Sequence, residues 1–242
     1  MKKNDNIYQD SLEHIKPFAF DEGVVNVFED MIQRSVPGYG LTLNLMASVA
    51  KTLKTDSPLC YDLGCSLGAG IIAIDRGLRE KSGKIIGVDV SEPMITQANE
   101  NLNNASLHSE WLLNHADINT VELGSHDLSV MNFTLQFIER DKRGSLVSKI
   151  YEALRPGGMF LLSEKVKFED SAEQDFQAEM HHNFKRLNGY SDLEISQKRT
   201  ALENRLIPET SSEHIARLKD AGFETAFTWF QAFNFTSFLA VK

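Results

Sequence analysis

Pro58-Leu-Cys-Tyr-Asp-Leu-Gly-Cys-Ser-Leu-Gly68 is the stretch on which the fold turns. It reads as a short buried strand over 59–63, a glycine-bearing turn, and a helix from about Ala69. Gly64 has no Cβ, so a ligand can lie close to the backbone there. The helix start that follows offers free N–H groups to an anionic or polar group. A second apolar run, Lys84-Ile-Ile-Gly-Val-Asp89, ends in an acid. An acid at the tip of a second strand is placed to accept hydrogen bonds from two ribose hydroxyls. Together the two runs make a nucleoside-binding βαβ unit.

The alternation continues outward from this unit. The spacing predicts a helix over 69–80, a strand over 84–89, a helix over 92–104 and a strand over 110–115. A further apolar run, Leu128 to Met131, leads into Asn132-Phe-Thr-Leu-Gln-Phe137. A helix over 141–154 stops at Arg155-Pro-Gly-Gly158, and a strand over 159–164 follows. Regular alternation with short connections predicts a doubly wound, mostly parallel, seven-stranded Rossmann-like α/β sheet. Upstream, residues 1–20 read as a loose polar arm. Apolar residues at 24, 25, 28, 31 and 32 mark a helix within 20–34, and a second helix covers 41–53. Residues 166–208 break the rhythm with two helical stretches and read as an insertion over the pocket. A helix over 213–221 and a hairpin of strands 224–231 and 236–241 close the chain. The expected organisation is a single domain over 1–242. It divides into arm and cover helices (1–55), nucleoside-binding core (56–165), helical lid (166–208) and C-terminal helix with hairpin (209–242).

Bulk properties narrow the function. The 242 residues are 42% hydrophobic and 24% charged, as in an ordinary soluble globular protein. No run is long and apolar enough to span a membrane, and the N-terminus lacks the apolar core of a signal peptide. Two cysteines, Cys60 and Cys65, do not make a disulfide framework, so the cytoplasm is the default compartment. A net charge of −9 with scattered basic residues argues against direct binding of nucleic acid.

Ligands of open α/β sheets sit beyond the carboxyl ends of the strands, which collects the Gly64 turn, Asp89, Asp117 and Asn132 on one rim. The glycines at 64, 68 and 70 follow G-x-x-x-G-x-G, and Ser66 stands where a dinucleotide fold would need a glycine. A nucleoside with an amino-acid tail fits better. Asp117 is placed to accept from an adenine amino group, and Ile118 to cover the ring. Blander roles compete. Asp89 could be a helix cap, Asn132 a polar residue closing a strand end, and His181 and His182 solvated or satisfied helix residues without metal-ligand spacing.

Several strings outside the nucleotide loop carry a closer likeness: Val27-Phe-Glu-Asp-Met-Ile-Gln-Arg-Ser-Val-Pro-Gly-Tyr39, Leu162-Ser-Glu-Lys165, Asn188-Gly-Tyr-Ser191, Ser196-Gln-Lys-Arg-Thr-Ala-Leu-Glu-Asn204 and Trp229-Phe-Gln231. With Tyr61-Asp-Leu-Gly-Cys-Ser66 and Asn132-Phe-Thr-Leu-Gln-Phe137, the chain resembles class I S-adenosylmethionine-dependent methyltransferases. More closely, it resembles the carboxy-S-adenosyl-L-methionine synthase family, from about Phe20 to Lys242. The resemblance implies S-adenosyl-L-methionine as cofactor, prephenate as carboxyl donor leaving as phenylpyruvate, and carboxy-S-adenosyl-L-methionine as product for wobble-uridine tRNA modification. It also implies a homodimer, and a cofactor and product site of Tyr39, Gly64, Cys65, Ser66, Asp89, Val90, Asp117, Ile118, Asn132 and Arg199. Arg199 is the catalytic candidate. Its guanidinium pairs with a carboxylate in bidentate fashion and stays charged, whereas a plain methyltransferase needs no arginine there. Its bland alternative is a surface helix residue beside Lys198.

Two positions depart from the family pattern: Leu67 stands where arginine is usual and Val90 where asparagine is usual. Lys165, Lys185, Arg186 and Arg205 are candidates for compensating charge. Two other classes remain open: methyl transfer to a small molecule or to tRNA, and a non-catalytic nucleoside-binding protein. The stretch Asn132-Phe-Thr-Leu lacks the Asn/Asp-Pro-Pro-Tyr motif of enzymes that methylate exocyclic amines.

Overall fold

A computed structural model describes residues 4–242. Strands β1 (Leu59–Leu63), β2 (Lys84–Asp89), β3 (Glu110–His115), β4 (His126–Asn132) and β5 (Leu154–Lys167) alternate with helices α4 (Ala69–Gly77), α5 (Glu92–Asn104) and α6 (Arg140–Ala153). The chain closes with β6 (Glu209–Thr210), α9 (Ser211–Asp220), β7 (Thr225–Ala232) and β8 (Phe235–Val241). The sheet order is β3-β2-β1-β4-β5-β8-β7, with β6 pairing β5 off this path. β1 to β5 pair in parallel, and β8 inserts antiparallel between β5 and β7. The expected seven strands are present, and the two-residue β6 is an addition that carried no periodicity.

The strands are apolar because helices cover both faces, and successive side chains go to opposite sides. Tyr61, Leu63, Met131, Phe160 and Leu162 face α6 and α9 in one core. Cys60, Leu128, Val130 and Leu161 face α3 (Tyr39–Lys51), α4 and α5 in the other. Both cysteines are free and buried. Burial pushes both thiols up, which leaves them inert.

The arm departs from expectation. Residues 4–20 are tethered, not loose. Gln197 donates to the carbonyls of Tyr8 and Asp10, and its own oxygen accepts from Leu12 N. Phe18 N donates to Ala201 O at 2.8 Å. Tyr8 and Phe18 are buried against Met31, Met94 and Ala201. A few widely spaced aromatics do this anchoring, and they leave no periodic signal. The single helix expected over 20–34 is two, α1 (Glu22–Val25) and α2 (Phe28–Ser35), broken at Val27 where ψ is near 0°. The lid is α7 (Ser171–Leu187) and α8 (Asp192–Leu202), with Ser191 and Glu194 forming a capping box for α8.

One buried ion pair ties this frame together. The Arg143 guanidinium on α6 is fully buried and pairs with Glu209 of β6, while Arg217 of α9 donates to the same carboxylate. Arg143 also donates to the carbonyls of Gln136, Ile138 and Ile207. Burial alone would raise the Glu209 carboxyl, but its hydrogen bonds to both arginines win and hold it at about 2, against an ordinary 4.5. A carboxyl depressed in this way stabilises the fold above its ordinary value, and that contribution is lost as pH falls from 4.5 toward 2. Removing one partner of a buried pair strands the other charge. Glu209→Ala is therefore expected to lower the unfolding free energy by about 3–5 kcal/mol in denaturant titration at pH 7. The deficit should shrink in acid.

Candidate cofactor and substrate site

The cavity lies beyond the carboxyl ends of β1, β2 and β4, where sheet topology places ligands. Its volume is about 320 Å³, and α2, α7 and α8 close it.

The rim is built from four turns and loops, after β1, β2, β3 and β4. Gly64 holds φ +85°, and a Cβ added there would come within 2.3 Å of Thr134 Oγ1. Its N–H and that of Cys65 both donate to Val88 O, locking the turn to β2. Ser66 takes φ 49°, and its N–H donates to Asp89 Oδ2 at 2.9 Å. Asp89 Oδ1 accepts from Ser91 N. The cap of α5 is Ser91, whose hydroxyl accepts from Met94 N, so Asp89 is free of that duty. Each oxygen of Asp89 keeps capacity for a further hydrogen bond, and the residue lines the cavity. Burial is the largest influence on this carboxyl and raises it, against three backbone N–H groups that pull it down.

Asp117 holds its own loop through Oδ1, which accepts from Asn119 N and Nδ2 at 2.8 Å. Ile118 is buried beside it, and Val90 is exposed, its carbonyl bonded to His115 Nε2. Asn132 lines the cavity, and among the described residues its buried Oδ1 has no hydrogen-bond partner. The loop after Asn132 is pinned by Glu164, fully buried, which accepts from Leu135 N and Gln136 N at 2.8 Å. Tyr39, Gly64, Cys65, Ser66, Asp89, Val90, Asp117, Ile118 and Asn132 therefore all line one cavity.

Arg199 does not. It is exposed on α8 and is not among the residues that line this cavity, although its charge is felt at Lys165. Of the four compensating cations, Lys165, Lys185 and Arg205 line the cavity. Arg186 is exposed and paired with Glu179 and Asp192. Leu67 is also outside the lining. It packs with the arm cluster, so the family's arginine-to-leucine change alters that contact and not the cavity wall.

Three lining residues had no place in the expected site. Asp62 is buried at the end of β1, and burial, then the charge of Asp89, push its carboxyl up to about 7. An acid inside an apolar strand was the available signal. Lys198 is buried, donates to Ser35 Oγ at 3.1 Å and lies 3.5 Å from Asp5. Only a charged residue on the inner face of α8 hinted at it. His181 takes the satisfied one of the two roles expected of it, buried with Nε2 2.8 Å from Ser35 O. Burial drives it down to about 2, so it is neutral. Among the described residues no group of acids, histidines and cysteines could hold a metal ion.

The cavity lining thus combines acids from the strand ends, lysines from β5, α7 and α8, and the apolar side chains of Phe20, Phe28, Phe133 and Phe137. The Asp89 geometry generates a test. Asp89→Asn places a donor amide against the donors Ser66 N and Ser91 N, and weakens acceptance of ribose hydroxyls. Calorimetric titration should show affinity for an adenosine ligand falling by about tenfold or more, with the fold intact by circular dichroism.

The comparisons with known proteins agree with this geometry. A family model described as a methyltransferase domain matches residues 61–158. The chain is 48% identical over 242 residues to a carboxy-S-adenosyl-L-methionine synthase from Geobacter sp. strain M21, covering 100% of this chain and 99% of that one. It is 47% identical over 238 residues to the same-named protein of Shewanella sediminis, with 98% of both chains covered. Among solved structures it resembles human N-acetylserotonin methyltransferase in complex with S-adenosylmethionine, with a TM-score of 0.61 and 17% identity. That match covers 92% of this chain and spans 56% of the human one. An S-adenosylmethionine-dependent methyltransferase from Aquifex aeolicus gives a TM-score of 0.60 and 17% identity over 92% of this chain and 99% of that one. The fold is that of class I methyltransferases, and the chain belongs to the carboxy-S-adenosyl-L-methionine synthase family.

Proposed function

We propose that this enzyme moves a carboxyl group from prephenate to the methyl carbon of S-adenosyl-L-methionine, the displaced methyl proton leaving with the prephenate hydroxyl as water and the donor leaving as phenylpyruvate. Its product, carboxy-S-adenosyl-L-methionine, then supplies wobble-uridine modification of tRNA by a separate enzyme. The observation that carries this reading is the single cavity in which a nucleoside rim runs into buried cations. Ordinary methyl transfer gives no reason to bury lysines beside the cofactor.

The rim residues fit S-adenosyl-L-methionine. Asp89 would hold the ribose, Asp117 and Ile118 the adenine, and Gly64 leaves room for the backbone approach. Asp62 is suited to the amino-acid ammonium, because a cation beside it would offset the burial that keeps its carboxyl high. When bound, the cofactor supplies a sulfonium that acidifies its own methyl group. The chain's part is positioning, exclusion of water by the aromatic walls, and stabilisation of negative charge.

Arg199 is the group we assign to the new carboxylate. It stands outside its own cavity lining, so the role calls for a second copy, and we infer a homodimer in which the partner supplies the guanidinium. The acidic surface, net charge −9, supports a small-molecule reaction rather than direct tRNA binding. Among the described residues no helix is long and apolar enough to cross a membrane, which supports a cytoplasmic enzyme.

Mass spectrometry of the ligand made from S-adenosyl-L-methionine with and without prephenate tests this. The expected product is heavier than the cofactor by the mass of one carbon dioxide, and forms only when prephenate is present. Recovery of S-adenosylhomocysteine instead would favour methyl transfer. Arg199→Ala should weaken retention of the carboxylated product by roughly thirtyfold or more, with cofactor affinity nearly unchanged. Equal weakening of both ligands would remove Arg199 from this role.

A further inference from the structure

The cavity lining gathers three lysines from three elements, Lys165 from β5, Lys185 from the last turn of α7, and Lys198 from α8, and Lys185 feels the charges of the other two. Lys185 and Lys198 are buried, with 8% and 6% of their surfaces exposed. Among the described residues neither Lys165 Nζ nor Lys185 Nζ has a hydrogen-bond acceptor or a carboxylate within ion-pair distance. The nearby carboxylate of Asp5 is already taken. It accepts from Tyr190 OH and pairs with Lys198 at 3.5 Å. Buried ammonium groups without partners are costly, and a fold keeps them where something else completes them.

We propose that Lys165, Lys185 and Lys198 form an anion subsite that receives a carboxylate of the second substrate and orients that substrate against the rim. This rests on the carboxyl-transfer reading above and assigns the donor's binding to named residues. The carboxylate that stays on the departing keto acid is the one such a pocket would hold. It remains charged throughout the reaction, whereas the transferred carboxyl passes through a neutral state. The three lysines are positioning residues for that substrate. Burial holds Lys185 down to about 7, and Lys165 and Lys198 down to about 8. An arriving anion reverses that effect, so binding near pH 8 takes up protons. The charges that face these groups are Arg199 at Lys165, Asp5 at Lys185, and Asp5, Arg34 and Asp30 at Lys198. His181 and His182 also feel Lys165 and Lys185.

The test is calorimetric titration of prephenate into protein saturated with S-adenosylhomocysteine, which has no methyl group to react. It compares wild type, Lys165→Met and Lys185→Met at pH 8 in two buffers of different ionisation enthalpy. Wild type should bind with net proton uptake. Each variant should bind prephenate about tenfold or more weakly, with less proton uptake and unchanged S-adenosylhomocysteine affinity. Without prephenate, both variants should melt at or above the wild-type temperature, because an unpaired buried ammonium has been removed. A melting temperature well below wild type would make these lysines structural and overturn the subsite. So would wild-type prephenate affinity in both variants, which would leave the carboxyl-transfer reading standing. If wild type fails to bind prephenate, malonate decides. Thermal stabilisation by malonate that depends on Lys165 and Lys185 retains the subsite and removes prephenate as donor, and no such stabilisation overturns the subsite.

Discussion

The Glu164 carboxylate sets where the rim of this cavity stands. It is fully buried on β5 and accepts from two consecutive backbone N–H groups, Leu135 and Gln136, just beyond the tip of β4. Its carboxyl is driven up to about 8 by burial, against the pull of those N–H groups and the charge of Arg143. Arg143 in turn grips the carbonyls of Gln136 and Ile207, and Glu209 neutralises it. The side chains of Glu164, Glu209 and Arg143 therefore fix the loop that carries Asn132, Thr134 and Gln136. Thr134 packs so close to Gly64 that any side chain there would collide. The glycine turn and the β4 loop are thus placed by one another, and neither could move without disturbing the other.

The acids and the lysines of the cavity lining are shifted in opposite directions. Asp62 and Asp89 are raised by burial, while Lys165, Lys185 and Lys198 are lowered by it. Both shifts mean that burial in this cavity disfavours the charged form of its own lining. A ligand pair with a cation beside the acids and an anion beside the lysines would relieve both. A sulfonium amino acid with a carboxylate donor is such a pair. A neutral methyl acceptor would relieve only the first.

What the sequence showed and what it hid follow from the range of the interactions involved. The βαβ unit was legible because its signals are local: an apolar run, a glycine turn, and an acid at the next strand end. The rim positions Gly64, Ser66, Asp89, Asp117 and Asn132 come from strand ends whose order the topology fixes, and they converge on one cavity. The lysine cluster was only partly visible. Lys165, Lys185 and Lys198 lie on three elements far apart in the chain, and no periodicity brings them together. The arm was misread for the same reason. Asp5, Tyr8 and Phe18 are isolated in a polar stretch, and their partners are on α2, α5 and α8 or in the loop that joins α7 to α8.

That arm has a consequence for the chemistry. Asp5 accepts from Tyr190 OH, pairs with Lys198 and receives the weight of Arg34 through its own backbone carbonyl. Arg34 also stacks over the Tyr190 ring at 4.0 Å. A chain terminus is ordinarily the least ordered part of a domain unless something ties it down. Here the tie is a carboxylate placed against a buried lysine of the lid. It offsets part of the charge cost of Lys198, while among the described residues Lys165 and Lys185 have no carboxylate within ion-pair distance. The arm thus does two jobs with one residue: it anchors α8, and it divides the basic cluster into a neutralised support and an unneutralised pair. A cluster with every lysine paired would bind no anion, and one with none paired would strain the lid that carries it.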